Sequence, residues 1–169
     1  MNPTRTVPLA VLGFAAAALV LTSLPAAAQS ATERTFQNWV VRCDTPAKGA
    51  QRCRLLQVVR LKDSGQRLIQ VGVTRVEGAE APVASVVLPL GIYLPAGLTI
   101  QVDDGEALRA PIEQCGRAGC EARLQLTEGL LAQMKAGKQA KYTFQNMLRK
   151  DVTIPAPLDG FTKAIAELK

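Results

Sequence analysis

From Phe36 onward, apolar and polar residues mostly alternate with a period of two, the pattern of half-buried strands. Phe36 to Cys43 places Trp39, Val41 and Cys43 on one face. In Gln51 to Lys62, Cys53, Leu55, Val59 and Leu61 fall on one side, and Arg52, Arg54, Arg60 and Lys62 on the other. Leu56 and Val58 interrupt the polar side, which predicts cover on both faces in mid-strand. Asp63-Ser64-Gly65 is a turn, so this strand and the Val- and Ile-rich run Arg67 to Val76 predict a hairpin. After a loop, Val83 to Leu88 is a short apolar strand. Leu88 to Gly97 alternates apolar residues with Pro and Gly. Proline has no N–H to give to a ladder, so that stretch belongs at an edge or corner.

Leu98 to Val102 predicts another strand, closed by the turn Asp103-Asp104-Gly105. Ala107 to Gln114 and Cys120 to Leu126 predict a second hairpin. The period then changes. Thr127 is placed to cap a helix from Glu128 to Ala136, with Leu130, Leu131 and Met134 on its inner stripe and Gly137 ending it. Lys141 to Leu148 returns to strand, and Asp151 to Ile154 is a last short strand before Pro155 and Pro157. Asp159 is placed to cap a C-terminal helix in which Phe161, Ala164, Ile165 and Leu168 recur at helical spacing. About eight short strands and two short helices predict a mainly β, antiparallel sandwich.

The N-terminus follows a different pattern. Arg5 is followed by an apolar run from Leu9 to Leu24, broken only by Gly13, Thr22 and Ser23, then Pro25 and Ala26-Ala27-Ala28. That is the layout of a secretory signal peptide cleaved after residue 28, rather than of a transmembrane anchor. The expected mature chain, 29–169, is one domain exported to an oxidising compartment, periplasmic or beyond. It has no lipidation cysteine near the cut and no membrane anchor. Its net charge is the chain's +6 less Arg5, or +5.

All four cysteines, Cys43, Cys53, Cys115 and Cys120, lie in the exported part. An even number there reads as two disulfides. Of the three connectivities, sequence proximity across turn-rich stretches favours Cys43–Cys53 and Cys115–Cys120. Neither spacing is the C-x-x-C of a thiol oxidoreductase, and neither first cysteine opens a helix.

The chain contains no histidine. That removes Ser-His-Asp and Cys-His catalysis and disfavours a zinc site, so no metal or cofactor is expected. A carboxylate pair could still run glycoside hydrolysis. The densest acidic cluster, Asp103, Asp104 and Glu106, reads as a solvated hairpin turn. With no long basic tract and few aromatics, nucleic acid is not an expected partner. The strongest positive candidate is the basic side of the Gln51–Lys62 strand. There Arg52, Arg54 and Arg60, joined by Arg42 on the neighbouring strand, would hold phosphates or carboxylates; the alternative is a solvated sheet face. Trp39 reads as core packing against a disulfide.

Together these features resemble the invasion-associated locus B (IalB) family. The resemblance is carried by Phe36-x-x-Trp39-x-x-x-Cys43-Asp44, then Cys53 and the Leu88-Pro89-Leu90-Gly91-Ile92-x-Leu94-Pro95-x-Gly97-Leu98 segment. Cys115-x-x-x-Gly119-Cys120 and the closing Pro155-x-x-Leu158-x-Gly160-Phe161-x-x-Ala164 complete it. It implies an immunoglobulin-like β-sandwich in the periplasm or outer envelope, in a family named for red-cell invasion by pathogenic members. It carries over no catalytic or ligand residues. The leading expectation is an envelope protein without catalytic machinery that binds a partner: an envelope or host-surface protein, or an anionic glycan or lipid. The rivals are a carboxylate-dependent hydrolase of envelope polysaccharide and a structural or stress-related envelope factor.

Overall fold

The computed structural model describes residues 31–46 and 49–168, so the leader and its cleavage site lie outside the described residues. The strands in chain order are β1 (Ala31–Phe36), β2 (Trp39–Asp44), β3 (Arg52–Arg60), β4 (Arg67–Thr74), β5 (Val83–Leu88), β6 (Leu98–Val102), β7 (Ala107–Ala110), β8 (Ile112–Gly116), β9 (Gly119–Gln125), β10 (Gln139–Gln145) and β11 (Asp151–Pro157). Helix α1 (Glu128–Ala136) precedes β10, and α2 (Phe161–Ile165) follows β11. Two antiparallel sheets result. The larger has the order β1-β2-β3-β4-β5-β9-β8, and the smaller the order β11-β10-β6-β7. The first five strands form a meander, each pairing with the next in sequence.

The period-two alternation sorts side chains onto the two faces. Trp39, Val41 and Leu55 from the larger sheet, and Leu98, Ile100 and Tyr142 from the smaller, belong to one continuous buried cluster. The segment after β5 carries the chain from one sheet to the other. It is a corner in which Ile92 bridges Asn146 and Leu94–Ala96 makes a single 3-10 turn. Helix α1 forms where its cap predicts: the Thr127 hydroxyl accepts the Leu130 N–H at 3.4 Å, and Leu130 and Met134 are buried. Such a cap contributes about 1 kcal/mol.

Helix α2 closes the end of the sandwich nearest the β1–β2 turn. The Phe161 ring meets Trp39 edge-on with centroids 5.0 Å apart. The Asn38 N–H reaches the Asp159 carbonyl at 3.4 Å. The N-cap is Gly160 in the left-handed region (φ 90°), not Asp159. A Cβ on Gly160 would lie 2.0 Å from the Phe36 carbonyl oxygen, so the close approach of α2 to this turn selects glycine.

Several elements differ from the sequence expectation. Strand β1 has no buried residue, so its side chains carry no period-two signal; backbone pairing to β2 makes it a strand. The single strand expected over Ala107 to Gln114 is two strands in different sheets. Pro111 separates them, with Ala110 ending on β6 and Ile112 starting on β9. Strand β11 continues through Pro155 and Pro157, which an edge strand tolerates because its outer N–H positions need no ladder partner. Strand β10 ends at Gln145, leaving Leu148 in a turn. Leu61 is exposed in the β3–β4 turn, and the inward position between Leu55 and Val59 is Gln57, which is buried. Its Nε2 donates to the Pro157 carbonyl at 2.7 Å, linking β3 to β11 in the opposite sheet. Mid-strand cover on the outer face is partial: Leu56 is half-buried and Val58 exposed.

Candidate functional site

Three of the four basic candidates, Arg42, Arg52 and Arg54, lie on the outer face of the larger sheet, where β1, β2 and β3 run side by side. Register puts Glu33 opposite Arg42, Arg42 opposite Arg54, and Asp44 opposite Arg52. Directly opposed like charges repel, and the two flanking acids relieve this. The Arg42 guanidinium donates to Glu33 Oε2 from both Nε (3.1 Å) and Nη2 (2.6 Å). Arg54 Nη2 lies 3.3 Å from Asp44 Oδ2. Both pairs stay about half exposed, so each contributes at most about 1 kcal/mol. Three guanidiniums against two carboxylates leave an excess of one positive charge, with Arg52 exposed beside the pairs. A shallow cavity of about 350 Å³ lies here, lined by Asp44, Thr45, Pro46, Arg52, Cys53, Arg54 and Thr74.

Arg60 is not part of this group. It sits six residues along β3 from Arg54, about 20 Å at strand rise. There it pairs in register with Arg67 and donates to the Gly65 carbonyl at 3.0 Å. Sheet alternation put all four arginines on one face; strand length separated the fourth from the others.

The two disulfides are Cys43–Cys53 and Cys115–Cys120. Each joins residues directly opposed in an antiparallel pair, with Cα atoms 4.0 Å apart. Cys43 and Cys120 are buried, while Cys115 is exposed at the β8–β9 hairpin. The first bridge crosses the same two strands that carry Arg42, Arg52 and Arg54, so it holds the basic candidates in register.

The acidic turn does different work from that read in the sequence. Asp103 (φ 46°) is not simply solvated: its two carboxylate oxygens accept the N–H groups of Lys138 and Gln139, each at 3.0 Å. That bond set anchors the start of β10 to the end of β6. Asp104 is fully exposed and lies 3.3 Å from Lys141 Nζ. On β9, hydrogen bonds from Arg123 and Gln114 hold Glu121 below the usual carboxylate range. Burial pushes the Tyr142 hydroxyl well above its ordinary value. Trp39 is fully buried, as expected of core packing.

A concavity of about 580 Å³ on the outer face of the smaller sheet was not legible in the sequence. Tyr93, Gly97, Thr99, Arg109, Thr143 and Asp151 are among its lining residues. Its walls come from the corner after β5 and from four different strands, a convergence that no local motif encodes. Its charged groups are already engaged. The Arg109 guanidinium donates to the Pro95 carbonyl at 3.1 Å, and Asp151 accepts from Gln145 Nε2 at 3.1 Å.

Comparison with known proteins identifies the family. The model of the invasion associated locus B (IalB) protein family matches residues 39–169, and the chain belongs to that family. Its relatives include an invasion protein B homolog of Brucella abortus (strain 2308), 25% identical over 148 residues that cover 87% of this chain and 84% of the relative. Invasion protein B of Bartonella bacilliformis is 25% identical over 150 residues, covering 86% and 78%. The crystal structure of invasion associated protein B from Bartonella henselae has the same fold, with a TM-score of 0.71 at 20% identity over 80% of this chain and 92% of that one. Among the described residues, no helix is long and apolar enough to cross a membrane.

Proposed function

We propose that this protein is an exported envelope protein that acts by binding, not by catalysis, and that its partner is a protein or an anionic surface glycan or lipid. One observation carries the reading. The four cysteines and Asp103 are committed to holding the fold, whereas guanidiniums are displayed on an open sheet face. The cysteines are consumed in cross-strand bridges, and Asp103 is bound to backbone N–H groups. Arg42, Arg52 and Arg54 stand together with one uncompensated charge beside a shallow cavity. The names of the Brucella and Bartonella relatives point to invasion, and a role at the host-cell surface is the corresponding biological setting.

A binding screen on heparin and on anionic lipid vesicles tests the anionic arm. Arg52→Glu with Arg54→Glu is expected to weaken such binding at least about tenfold and remove most of its salt dependence. The melting temperature should stay within about 2 °C, because both side chains are exposed. Unchanged affinity would refute the arginine face as the contact. A polysaccharide-cleaving activity lost on substitution of a single carboxylate would refute the non-catalytic reading.

A further inference from the structure

Among the described residues, four of the seven large apolar side chains that stand exposed lie on two stretches that meet at the corner of the smaller sheet. The turn from β10 to β11 carries Met147 and Leu148, which are 69% and 76% exposed. Leu90 and Leu94, in the segment after β5, are 59% and 46% exposed. The fold brings these two stretches to the same end of the molecule. Ile92 bridges Asn146, the Tyr93 N–H donates to the Gln145 carbonyl at 2.8 Å, and the Arg149 guanidinium stacks 4.8 Å above the Tyr93 ring.

The turn is built to keep its apolar residues outward. Asn146 Oδ1 accepts the N–H groups of Leu148 (2.9 Å) and Lys150 (3.1 Å). The Arg149 N–H donates to the Asn146 carbonyl at 2.9 Å, and the Asn146 N–H to the Lys150 carbonyl at 3.0 Å. With the backbone bonded this way, Met147 and Leu148 stand on a braced loop rather than a floppy one. The two residues that follow, Arg149 and Lys150, are cationic. The neighbouring acid, Asp151, is turned to Gln145 on the sheet behind.

We propose that this end of the domain is a membrane-surface contact. Met147 and Leu148, flanked by Leu90 and Leu94, enter the interfacial layer of an anionic bilayer while Arg149 and Lys150 meet its phosphate headgroups. This deepens the binding reading and rests on it, naming a lipid surface as partner through a second site. An apolar tip with adjoining cations matches how peripheral proteins hold anionic membranes. A free phosphate gives no reason to expose Met147 and Leu148. A second copy of the chain fits less well: the four side chains offer on the order of 400 Å², about half of the ~800 Å² per partner in a stable interface.

The test is co-sedimentation of the full chain, as the cell processes it, with vesicles. One set contains phosphatidylglycerol and phosphatidylethanolamine, the other phosphatidylcholine alone. Partition onto the anionic vesicles is expected to exceed that onto the zwitterionic ones. Met147→Ser with Leu148→Ser should lower it at least about tenfold without moving the melting temperature. Lys150→Gln should lower it about fivefold and flatten its salt dependence. Partition of the serine variant equal to that of the wild type overturns the proposal. So does self-association of the wild type, seen by analytical ultracentrifugation, that the serine variant abolishes. Vesicle binding lost in Arg52→Glu/Arg54→Glu but kept in the serine variant also overturns the tip and leaves the broader binding reading standing. No vesicle partition with retained heparin binding has the same effect.

Discussion

Replacing Gly160 by alanine tests whether the contact between α2 and the β1–β2 turn organises this end of the core. Two costs arise in this structure. At φ 90° an alanine is strained, and its Cβ would lie 2.0 Å from the Phe36 carbonyl oxygen and 2.7 Å from the Phe36 carbonyl carbon. The first term costs about 1 kcal/mol or more. The second cannot be relieved by rotating a side chain, because the obstructing atoms are backbone. Helix α2 must move, and Phe161 then withdraws from Trp39, adding about 1–3 kcal/mol. Gly78 is an internal control, with a similar φ of 80° but nothing within 4 Å of its would-be Cβ. Gly78→Ala should therefore report the dihedral term alone. Denaturant melts followed by the fluorescence of Trp39, the chain's only tryptophan, are expected to show a loss of about 2–4 kcal/mol for Gly160→Ala and about 1 kcal/mol for Gly78→Ala. The native emission of the first variant should also shift to the red as Trp39 loses its cover. Equal losses in the two variants would refute the reasoning, because the Phe36 contact would then contribute nothing.

Three further outcomes follow from particular contacts. Removing Cys43–Cys53 by paired alanine substitution should cost about 3 kcal/mol, and removing Cys115–Cys120 about 2 kcal/mol, since the second bridge closes the shorter loop; calorimetry of the two double variants gives the order. Tyr142 keeps its proton in the fold above the pH at which it would lose it unfolded. Stability should therefore fall by about 1.4 kcal/mol per pH unit above about pH 10, and in a pH series of urea melts Tyr142→Phe should lose that component of the slope. Gln57→Leu should stay within about 1 kcal/mol of the wild type in the same melts, because it exchanges one bond to Pro157 for removal of a buried Oε1 without a hydrogen bond. Gln57→Ala should cost about 2–3 kcal/mol, through the added cavity.

The amino-acid sequence alone carried the fold class, the helix cap at Thr127, the corner between Leu88 and Gly97, and the pairing of cysteines by proximity. Each rests on a local signal: period-two alternation, a side chain within reach of its own backbone, prolines that cannot donate, or short loops between thiols. The outward placement of Arg42, Arg52 and Arg54 was legible for the same reason, since alternate residues on a strand must share a face. The neutralising partner Glu33 was not, because β1 has no apolar alternation to announce it and its pairing is made by backbone alone.

Tertiary structure decided everything that depends on which strand lies beside which. It divided one expected strand at Pro111 between two sheets and moved the α2 cap from Asp159 to Gly160. It also gave Asp103 two backbone donors from β10 and its preceding turn, and buried Gln57 against Pro157, 100 residues away. It brought Leu90 and Leu148 to the same end of the molecule through the bridge between Ile92 and Asn146. A chain states how each residue faces relative to its neighbours, because backbone geometry repeats over two or four residues. Which distant segment fills the opposite side is settled only when the whole core is packed, since that choice depends on the combined shape and hydrogen-bonding needs of all the strands at once.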